Sequence, residues 1–437
     1  MAEAPRYTIS NTLFLWFVAD PMQPRLVGEL KLVSAGKGVS LEYAASWLES
    51  GFALSEDLPL VAGEFLPRDK GMAAGAVDDA RPDRWGERVI QFLDKPKRLS
   101  LMEFLYFAGD DRFGALGVST SRDEYLPRRN GPLPRLDSAQ ALSVIVAKIM
   151  AKESISAAER RMATAGGSFG GAKPKALIEI GRAEWVIKFY NGEPVDLPLV
   201  EHAAMTLAAK AGIRVAETRV IPLAGENAVA VRRFDRLNGA RIHAISAGTA
   251  LRALVGTGQT PDLGYPNLAQ LLRRAGPTAD GVNALQMREL FRRMVFNILI
   301  DNTDDHEKNH ALLFTEPTRW GKLSLAPAYD VLPTNSGQGM QEFGVGADGR
   351  DSTLVNAMSQ SALFGLKTDE AAAEVLGVVG VVNTWKKHFA KCGVSGADID
   401  DLAQRIDGDE LLAQRSGFSV QTHAVAPAPP KRSRFQR

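Results

Sequence analysis

The feature that most constrains the fold is a long apolar helix pattern that runs directly into a short polar segment. Between Met287 and Leu299, apolar side chains recur at the spacing of one helix face and form a continuous apolar surface. A helix with such a face packs in the protein interior. The chain then enters residues 302–309, which read NTDDHEKN. We therefore expect a buried helix that delivers a polar loop at its end.

This polar loop contains the groups that phosphoryl transfer requires. A carboxylate must orient the attacking hydroxyl and accept its proton, and oxygen ligands must hold Mg²⁺ against the phosphates. Asp304 lies five positions before Asn309, as the base does in the protein-kinase catalytic loop, whereas Asp305 lies only four before it. We assign the base to Asp304. A loop rich in Asp and Asn can also be a solvated or capping segment without catalytic function. The sequence of this loop alone does not exclude that alternative.

Two short strand patterns follow the loop. Residues 310–314 and 322–325 read as two strands, and a turn segment at 316–321 joins them. This order predicts a hairpin. A hairpin would bring Asp330 back beside Asn309. Their oxygen atoms make a plausible magnesium site without any cysteine or histidine ligand.

Upstream of the helix, a lysine interrupts an otherwise apolar strand. Lys188 lies in the sequence VIKF, where its charge is costly unless a phosphate or a carboxylate meets it. The alternative is a lysine on the solvent face of the sheet. Glu201, early in the next predicted helix, could pair with Lys188 or lie exposed on that helix.

A glycine-rich segment precedes this strand. Residues 166–175 (GGSFGGAKPK) offer flexible backbone N–H groups and two lysines, which suit the binding of phosphates. The segment matches neither the P-loop nor the kinase GxGxxG pattern, and it can be a plain turn. Residues 166–170 also match the GxSxG elbow of serine hydrolases. An elbow follows a strand and opens a helix, whereas here a polar run precedes the segment and a strand-like run follows it.

Composition divides the chain into four segments. Residues 1–125 are strand-rich, with strands predicted at 25–34 and 113–120, and a Pro/Gly linker at 127–134 follows. Residues 126–240 combine a helix, the glycine-rich segment and further strands, and residues 241–423 are mostly helical. Residues 424–437 are Pro-rich and then basic, which predicts a disordered tail.

Charge and hydropathy exclude several classes of protein. The 437 residues carry a net charge of +1, so the chain as a whole lacks the basic excess typical of autonomous DNA binding. Apolar runs such as residues 376–382 fall far short of the roughly 20 residues that cross a bilayer. Residues 1–10 lack the pattern of a signal peptide, and Cys392 is the single cysteine. We therefore expect a cytoplasmic protein.

In their order along the chain, these segments resemble the HipA family of serine/threonine kinases, the toxin halves of bacterial toxin–antitoxin pairs. The strongest matches are TDDHEKN at 303–309 and PAYD at 327–330. The segments LEY at 41–43, GFALS at 51–55 and PDRWG at 82–86 are similar to the N-terminal subdomain of the family. Residues 166–175 and 234–236 resemble its glycine-rich loop and its hinge. The resemblance spans nearly the whole chain.

The resemblance implies a bilobal, protein-kinase-like α+β fold of the HipA and phosphatidylinositol-kinase type. It would have a β-rich N-terminal subdomain and an all-α C-terminal lobe, with ATP and Mg²⁺ as cosubstrates. Asp304, His306 and Asn309 would be catalytic, with His306 equally suited to a structural role in the loop. Asn309 and Asp330 would bind the metal.

The family also implies a set of ATP-binding residues. They are Ser168, Gly170, Gly171, Ala172, Lys173 and Lys175 of the glycine-rich loop, Lys188, and Arg232 and Phe234 beside adenine. Ser168 matches the serine that family members autophosphorylate. Arg232 stands where an acidic residue can occur, so only its backbone role is implied.

The partners follow from the resemblance as well. It implies a helix-turn-helix, HipB-like antitoxin, contact with DNA only through that antitoxin, and a protein substrate such as an aminoacyl-tRNA synthetase, whose modification would inhibit translation and growth. Two alternatives stay open. The chain could be a small-molecule kinase of the same fold, or a corepressor scaffold without catalysis.

Overall fold

The computed structural model describes residues 7–128, 131–167, 173–190, 192–256, 258–316, 322–334 and 336–419. Four of the predicted site residues, Ser168, Gly170, Gly171 and Ala172, lie outside the described residues, as does the predicted tail at 424–437.

The N-terminal part is built on a five-stranded antiparallel sheet with the strand order β4-β3-β2-β1-β5. Its strands are β1 (Thr12–Phe17), β2 (Arg25–Val33), β3 (Gly38–Tyr43), β4 (Glu64–Phe65) and β5 (Leu116–Ser119), and its helices are α1 (Ala45–Ser50), α2 (Arg84–Leu93) and α3 (Leu101–Phe107). The predicted strand at 25–34 is confirmed, because Val27 and Leu30 point into the core.

A second antiparallel sheet, of order β6-β7-β9-β8, forms the next layer. Its elements are α4 (Ala139–Ala151), α5 (Ala157–Ala165), β6 (Lys175–Ile180), β7 (Ala183–Phe189), α6 (Leu197–Lys210), β8 (Thr218–Leu223) and β9 (Glu226–Arg232). The strand predicted around Lys188 is confirmed as β7. Helix α6 ends before Gly212, whose φ of +74° suits glycine.

Helix α2 packs against the second sheet. It belongs to the strand-rich N-terminal part of the chain, yet Trp85, Val89 and Leu93 are buried in one cluster with residues of α4, β6 and β7. The apolar side of α2 therefore completes the core of the second sheet.

The last part of the chain carries the remaining elements. They are β10 (Arg236–Leu237), β11 (Ala240–Arg241), β12 (Ala244–Ser246), α7 (Ala247–Arg252), α8 (Tyr265–Ala275), α9 (Val282–Leu299), β13 (Ala311–Glu316), β14 (Lys322–Leu325), α10 (Leu354–Ser359), α11 (Thr368–Val382), α12 (Trp385–Lys391), α13 (Gly396–Ile406) and α14 (Asp409–Gly417). Helices predominate in the described part of this lobe, and its strands form the small hairpin β10-β11 and a three-stranded sheet of order β12-β13-β14. The expectation of an all-α lobe is corrected in this respect, because the hairpin β13-β14 pairs with β12.

The predicted buried helix is α9, which packs between α8 and α11. Leu290, Phe291 and Met294 have no exposed surface. The predicted hairpin is also confirmed, with Leu312 of β13 opposite Leu325 of β14. Helix and hairpin together fix both ends of the polar loop. None of the helices in the described part of the chain combines the length and hydropathy of a membrane span.

Candidate active site

Lys188 of β7 forms the centre of a buried ion cluster between the second sheet and the helical lobe. Its Nζ lies 2.7 Å from Oε1 of Glu201 on α6 and 2.5 Å from Oδ1 of Asp330. The lysine is 5% exposed and Glu201 is fully buried. The alternatives of a solvent-facing Lys188 and an exposed Glu201 are therefore wrong. Tyr190 donates a hydrogen bond of 2.7 Å to the other oxygen of Glu201.

The charges in this cluster stabilise one another. Burial would lower the pKa of Lys188, but the carboxylates of Asp330 and Glu201 outweigh it and raise the pKa above its ordinary value. Burial would likewise raise the pKa of Asp330, yet Lys188 and Lys175 hold it well below its usual range. Both groups are therefore charged at neutral pH. Asp330 has a φ of +58°, an uncommon conformation for a residue with a side chain.

Two more lysines lie beside Lys188. Lys175 of β6 is its cross-strand neighbour, and its side chain is partly buried. Burial, together with the charge of Lys188, lowers the pKa of Lys175 to about 8. Lys173 has its Nζ 4.9 Å from the centroid of the Tyr190 ring. This end of the β6-β7 hairpin thus concentrates positive charge where a polyphosphate would be attracted.

The two neighbouring aspartates of the polar loop have different environments. Asp305 is buried; it accepts a hydrogen bond from the Tyr265 hydroxyl, and its Oδ1 lies 3.0 Å from Nε2 of His310. Asp304 is exposed. Asp305 therefore anchors the loop, whereas Asp304 presents its carboxylate to solvent. This division fits the spacing argument for Asp304 as the base, which stays a prediction.

The rest of the loop is a single turn of 3-10 helix at Glu307–Asn309. His306 caps this turn, because its Nδ1 accepts a bond of 3.2 Å from the backbone N–H of Lys308. That contact supports the structural role for His306. Asn309 is buried and donates from Nδ2 to the backbone oxygen of Asp304 at 3.2 Å.

Tyr329 joins the loop to the segment that carries Asp330. Its hydroxyl donates a bond of 2.6 Å to the backbone oxygen of Lys308. Each of these residues is the chain neighbour of a predicted metal ligand, so the hairpin does bring the two segments together. Sequence analysis missed Tyr190, Tyr265 and Tyr329, since a tyrosine that supports a loop through its hydroxyl has no spacing signature.

The predicted metal ligands offer the donor chemistry of a magnesium site. The Asp330 carboxylate is anionic and its side chain is one-third exposed, and Asn309 has an amide oxygen; Mg²⁺ prefers such oxygen ligands. Among the described residues, no three His, Cys, Asp or Glu side chains cluster as a metal site. A cation here would take its remaining ligands from phosphate and water.

The hinge residues differ in their surroundings. Arg232 is exposed, and both its side chain and its backbone N–H bond to Glu217, at 3.2 and 2.8 Å. The backbone N–H of Arg232 is therefore already bonded, to the residue that precedes β8. Phe234 packs against Tyr329, with ring centroids 5.3 Å apart. An adenine contact of either residue stays a prediction.

The flanks of the glycine-rich segment contradict the serine hydrolase alternative. Helix α5 precedes the segment and strand β6 follows it, and Leu177 donates to the backbone oxygen of Gly166 at 2.8 Å. A nucleophile elbow requires the opposite order, strand and then helix. The hydrolase prediction is therefore wrong for this segment.

Two family models match the chain. The model of the HipA-like C-terminal domain matches residues 167–385, and that of the HipA N-terminal domain matches residues 22–119. The matched ranges include every residue of the ion cluster and the polar loop.

Two curated relatives from Sinorhizobium fredii carry the name of a kinase. Y4dM is 27% identical over 205 residues, which are 43% of this chain and 44% of that protein. Y4mE is 25% identical over 337 residues, which are 71% of this chain and 75% of that protein. The chain thus spans less than half the length of the first relative.

A solved structure shares the fold. It is a chain from the complex of HipA, HipB and operator DNA of the Shewanella oneidensis MR-1 toxin–antitoxin system, with a TM-score of 0.65 and 17% identity. The similarity covers 94% of this chain and 98% of that chain. The kinase-like α+β fold is therefore confirmed.

Proposed function

The chain belongs to the HipA family, and on that premise we propose that it is an ATP-dependent kinase that acts at the cleft around Lys188. The observation that carries the proposal is the pair of ion contacts from Lys188 to Glu201 and Asp330. In protein kinases a strand lysine pairs with a helix glutamate, a separate aspartate holds Mg²⁺, and both must be in place for phosphoryl transfer.

The residues divide the work as follows. Lys188, Lys175 and Lys173 hold the phosphates of ATP through charge, and Asn309 and Asp330 would hold Mg²⁺. The bound cation would neutralise charge that develops on the phosphate oxygens. Asp304 orients the acceptor hydroxyl and takes its proton as that oxygen forms a bond to the γ-phosphorus. The bond from the γ-phosphorus to the leaving oxygen breaks, and ADP departs.

We further propose that the acceptor is a serine or threonine of a cellular protein, such as an aminoacyl-tRNA synthetase, and that its modification inhibits translation and growth. Ser168 is the proposed site of autophosphorylation. The proposed partner is a HipB-like antitoxin that brings the kinase to DNA, and the proposed location is the cytoplasm. The Shewanella chain, which shares the fold, comes from a complex with HipB and operator DNA and supports the choice of partner.

Phosphoproteomics of cells that express the wild type or Asp304→Asn tests the proposal and identifies the acceptor. A matched control is Asp400→Asn, an exposed carboxylate on α13. We expect new serine and threonine phosphosites with the wild type and the control, and none with Asp304→Asn. The same phosphosites with Asp304→Asn would refute the kinase. Phosphorylated metabolites without protein phosphosites would favour the small-molecule alternative.

The corepressor alternative has its own test. Titration calorimetry with Mg-ATP should give heat of binding for the wild type. Antitoxin binding without any nucleotide binding would favour a scaffold that has kept only the fold.

A further inference from the structure

The N-terminal part of the chain reaches the proposed active site through the PDRWG segment, residues 82–86. Asp83 Oδ1 lies 2.5 Å from Nζ of Lys308, the residue that precedes Asn309 in the polar loop. Both side chains are partly exposed, at 28% and 39%. Asp83 occupies the N-cap position of α2, where an aspartate commonly accepts bonds from the first helix N–H groups. Within the described residues its side chain makes no capping bond to α2, and its carboxylate pairs with Lys308 of the polar loop.

Two residues further on, the same segment contacts strand β6 of the second sheet. Trp85 is buried, and its indole Nε1 donates a bond of 2.8 Å to the backbone oxygen of Lys175. Lys175 begins β6 and lies next to Lys188. The start of α2 thus bonds both to β6, the strand that carries Lys175, and to the polar loop.

A second segment of the N-terminal part fixes the hinge. Asp235 of the hinge accepts a bond of 2.8 Å from the backbone N–H of Gly114. Arg233 and Arg236 each donate to the backbone oxygen of Arg112, both at 2.8 Å. Asp235 is 3% exposed, and its carboxylate also receives bonds from both arginines. Asp235 and Arg233 are buried, and hydrogen bonds in such surroundings are electrostatically stronger than in water.

From these contacts we propose that the N-terminal part completes the kinase centre, with Asp83 as a positioning residue that fixes the catalytic loop through Lys308. The inference rests on the proposed kinase function and adds a role that the phosphate-handling residues do not supply. Asp83 acts on the geometry of Asp304 and Asn309 and does not itself touch the reacting atoms. Loss of the pair frees the loop that carries both residues.

The chain provides a matched control for this idea. Glu56 of the N-terminal part and Arg274 of α8 form another ion pair between the same two regions, at 2.6 Å. Glu56 is more exposed than Asp83, at 38% against 28%, and Arg274 is more exposed than Lys308, at 59% against 39%. Helix α8 is not part of the polar loop. Glu56→Gln therefore reports on the loss of an ordinary surface pair.

The test compares the full-length wild type with Asp83→Asn, Asp83→Glu and Glu56→Gln by steady-state phosphoryl transfer. We expect Asp83→Asn to lower kcat roughly 10- to 100-fold, because small displacements of catalytic groups have effects of that order. KM for ATP should change far less, and Asp83→Glu should recover part of kcat. Glu56→Gln should match the wild type. Equal kcat for Asp83→Asn and Glu56→Gln, or a kcat above wild type, would overturn the proposal.

Hydrogen exchange gives a second readout that does not depend on activity. Backbone amides of residues 302–309 should exchange faster in Asp83→Asn than in the wild type or Glu56→Gln, whereas unchanged exchange would overturn the positioning role. If Asp83→Asn does not fold, Lys308→Gln removes the same pair from the other side. If the wild type shows no phosphoryl transfer, the kinase function is refuted. The hydrogen-exchange comparison would still decide whether Asp83 positions the loop.

Discussion

At the scale of single residues, burial separates side chains that look alike in the sequence. Spacing selected Asp304 over Asp305, and the structure gives a physical reason for the difference, because only Asp305 is buried among hydrogen-bond partners. Spacing could not reveal those partners. Tyr265 and His310 lie 40 residues before and five after Asp305, and no local pattern joins them.

The two aspartates should respond differently to the same substitution. Asp305→Asn weakens a buried network, and we expect a loss of unfolding free energy of about 1–3 kcal/mol. Asp304→Asn should leave stability within about 0.5 kcal/mol of the wild type, since its side chain is exposed. Urea unfolding of both variants measures the difference. Equal losses for the two would contradict the assigned roles.

Lys175 predicts a pH dependence. The pKa of Lys175 is about 8 in the folded protein and about 10.5 in the unfolded chain. As the pH rises above 8, the folded protein therefore loses this proton before the unfolded chain does. Its charge therefore costs stability below pH 8, and stability is regained between about pH 8 and 10.5. ATP capture needs that charge, so kcat/KM for ATP should fall above pH 8.

Lys175→Arg is the matched control, because a guanidinium keeps its charge throughout this range. Its profile of kcat/KM against pH should lack the fall near pH 8. A fall of the same size in both proteins would assign the titration to another group.

At the scale of elements, side-chain patterns predicted several parts of the scaffold. The apolar face of α9, the alternation in β2 and the pairing of β13 with β14 each follow from local side-chain patterns. The contacts between these elements did not follow from local patterns. The buried contact of Glu201 with Lys188 depends on how α6 packs on the second sheet, and its sequence fits an exposed glutamate equally well.

Tyr329 tests the link between the hairpin and the loop. Tyr329→Phe removes the bond to the backbone oxygen of Lys308, and we expect a loss of about 1 kcal/mol together with a lower kcat. Tyr7→Phe removes a hydroxyl that donates to Glu103 in the N-terminal part and is the control, with kcat unchanged. Thermal unfolding and steady-state kinetics measure both effects. Equal kcat for the two variants would show that the hairpin contact does not serve catalysis.

At the scale of the whole molecule, the family resemblance is confirmed and the kinase-like fold is confirmed with it. The sequence divided the chain into segments but did not show that α2 completes the core of the second sheet. The apolar face of a helix is visible in its periodicity, whereas the surface that covers it depends on packing between distant segments. Trp85, Val89 and Leu93 therefore tie the N-terminal part to the second sheet.

This packing predicts joint unfolding of the two parts. Trp85→Ala should lower the unfolding free energy by about 3–5 kcal/mol, because it leaves a cavity in the core of the second sheet. Unfolding should remain a single transition by both calorimetry and circular dichroism. Two separate transitions, only one of them shifted, would show that the N-terminal part folds independently of the kinase core.

The most direct test of the proposed kinase is transfer of labelled γ-phosphate from Mg-ATP by the purified chain, with autophosphorylation and added protein as acceptors. We expect incorporation by the wild type and Asp400→Asn, and loss of incorporation in Asp304→Asn and Asp330→Asn. Incorporation by Asp304→Asn and Asp330→Asn at the rate of the wild type would contradict the proposal.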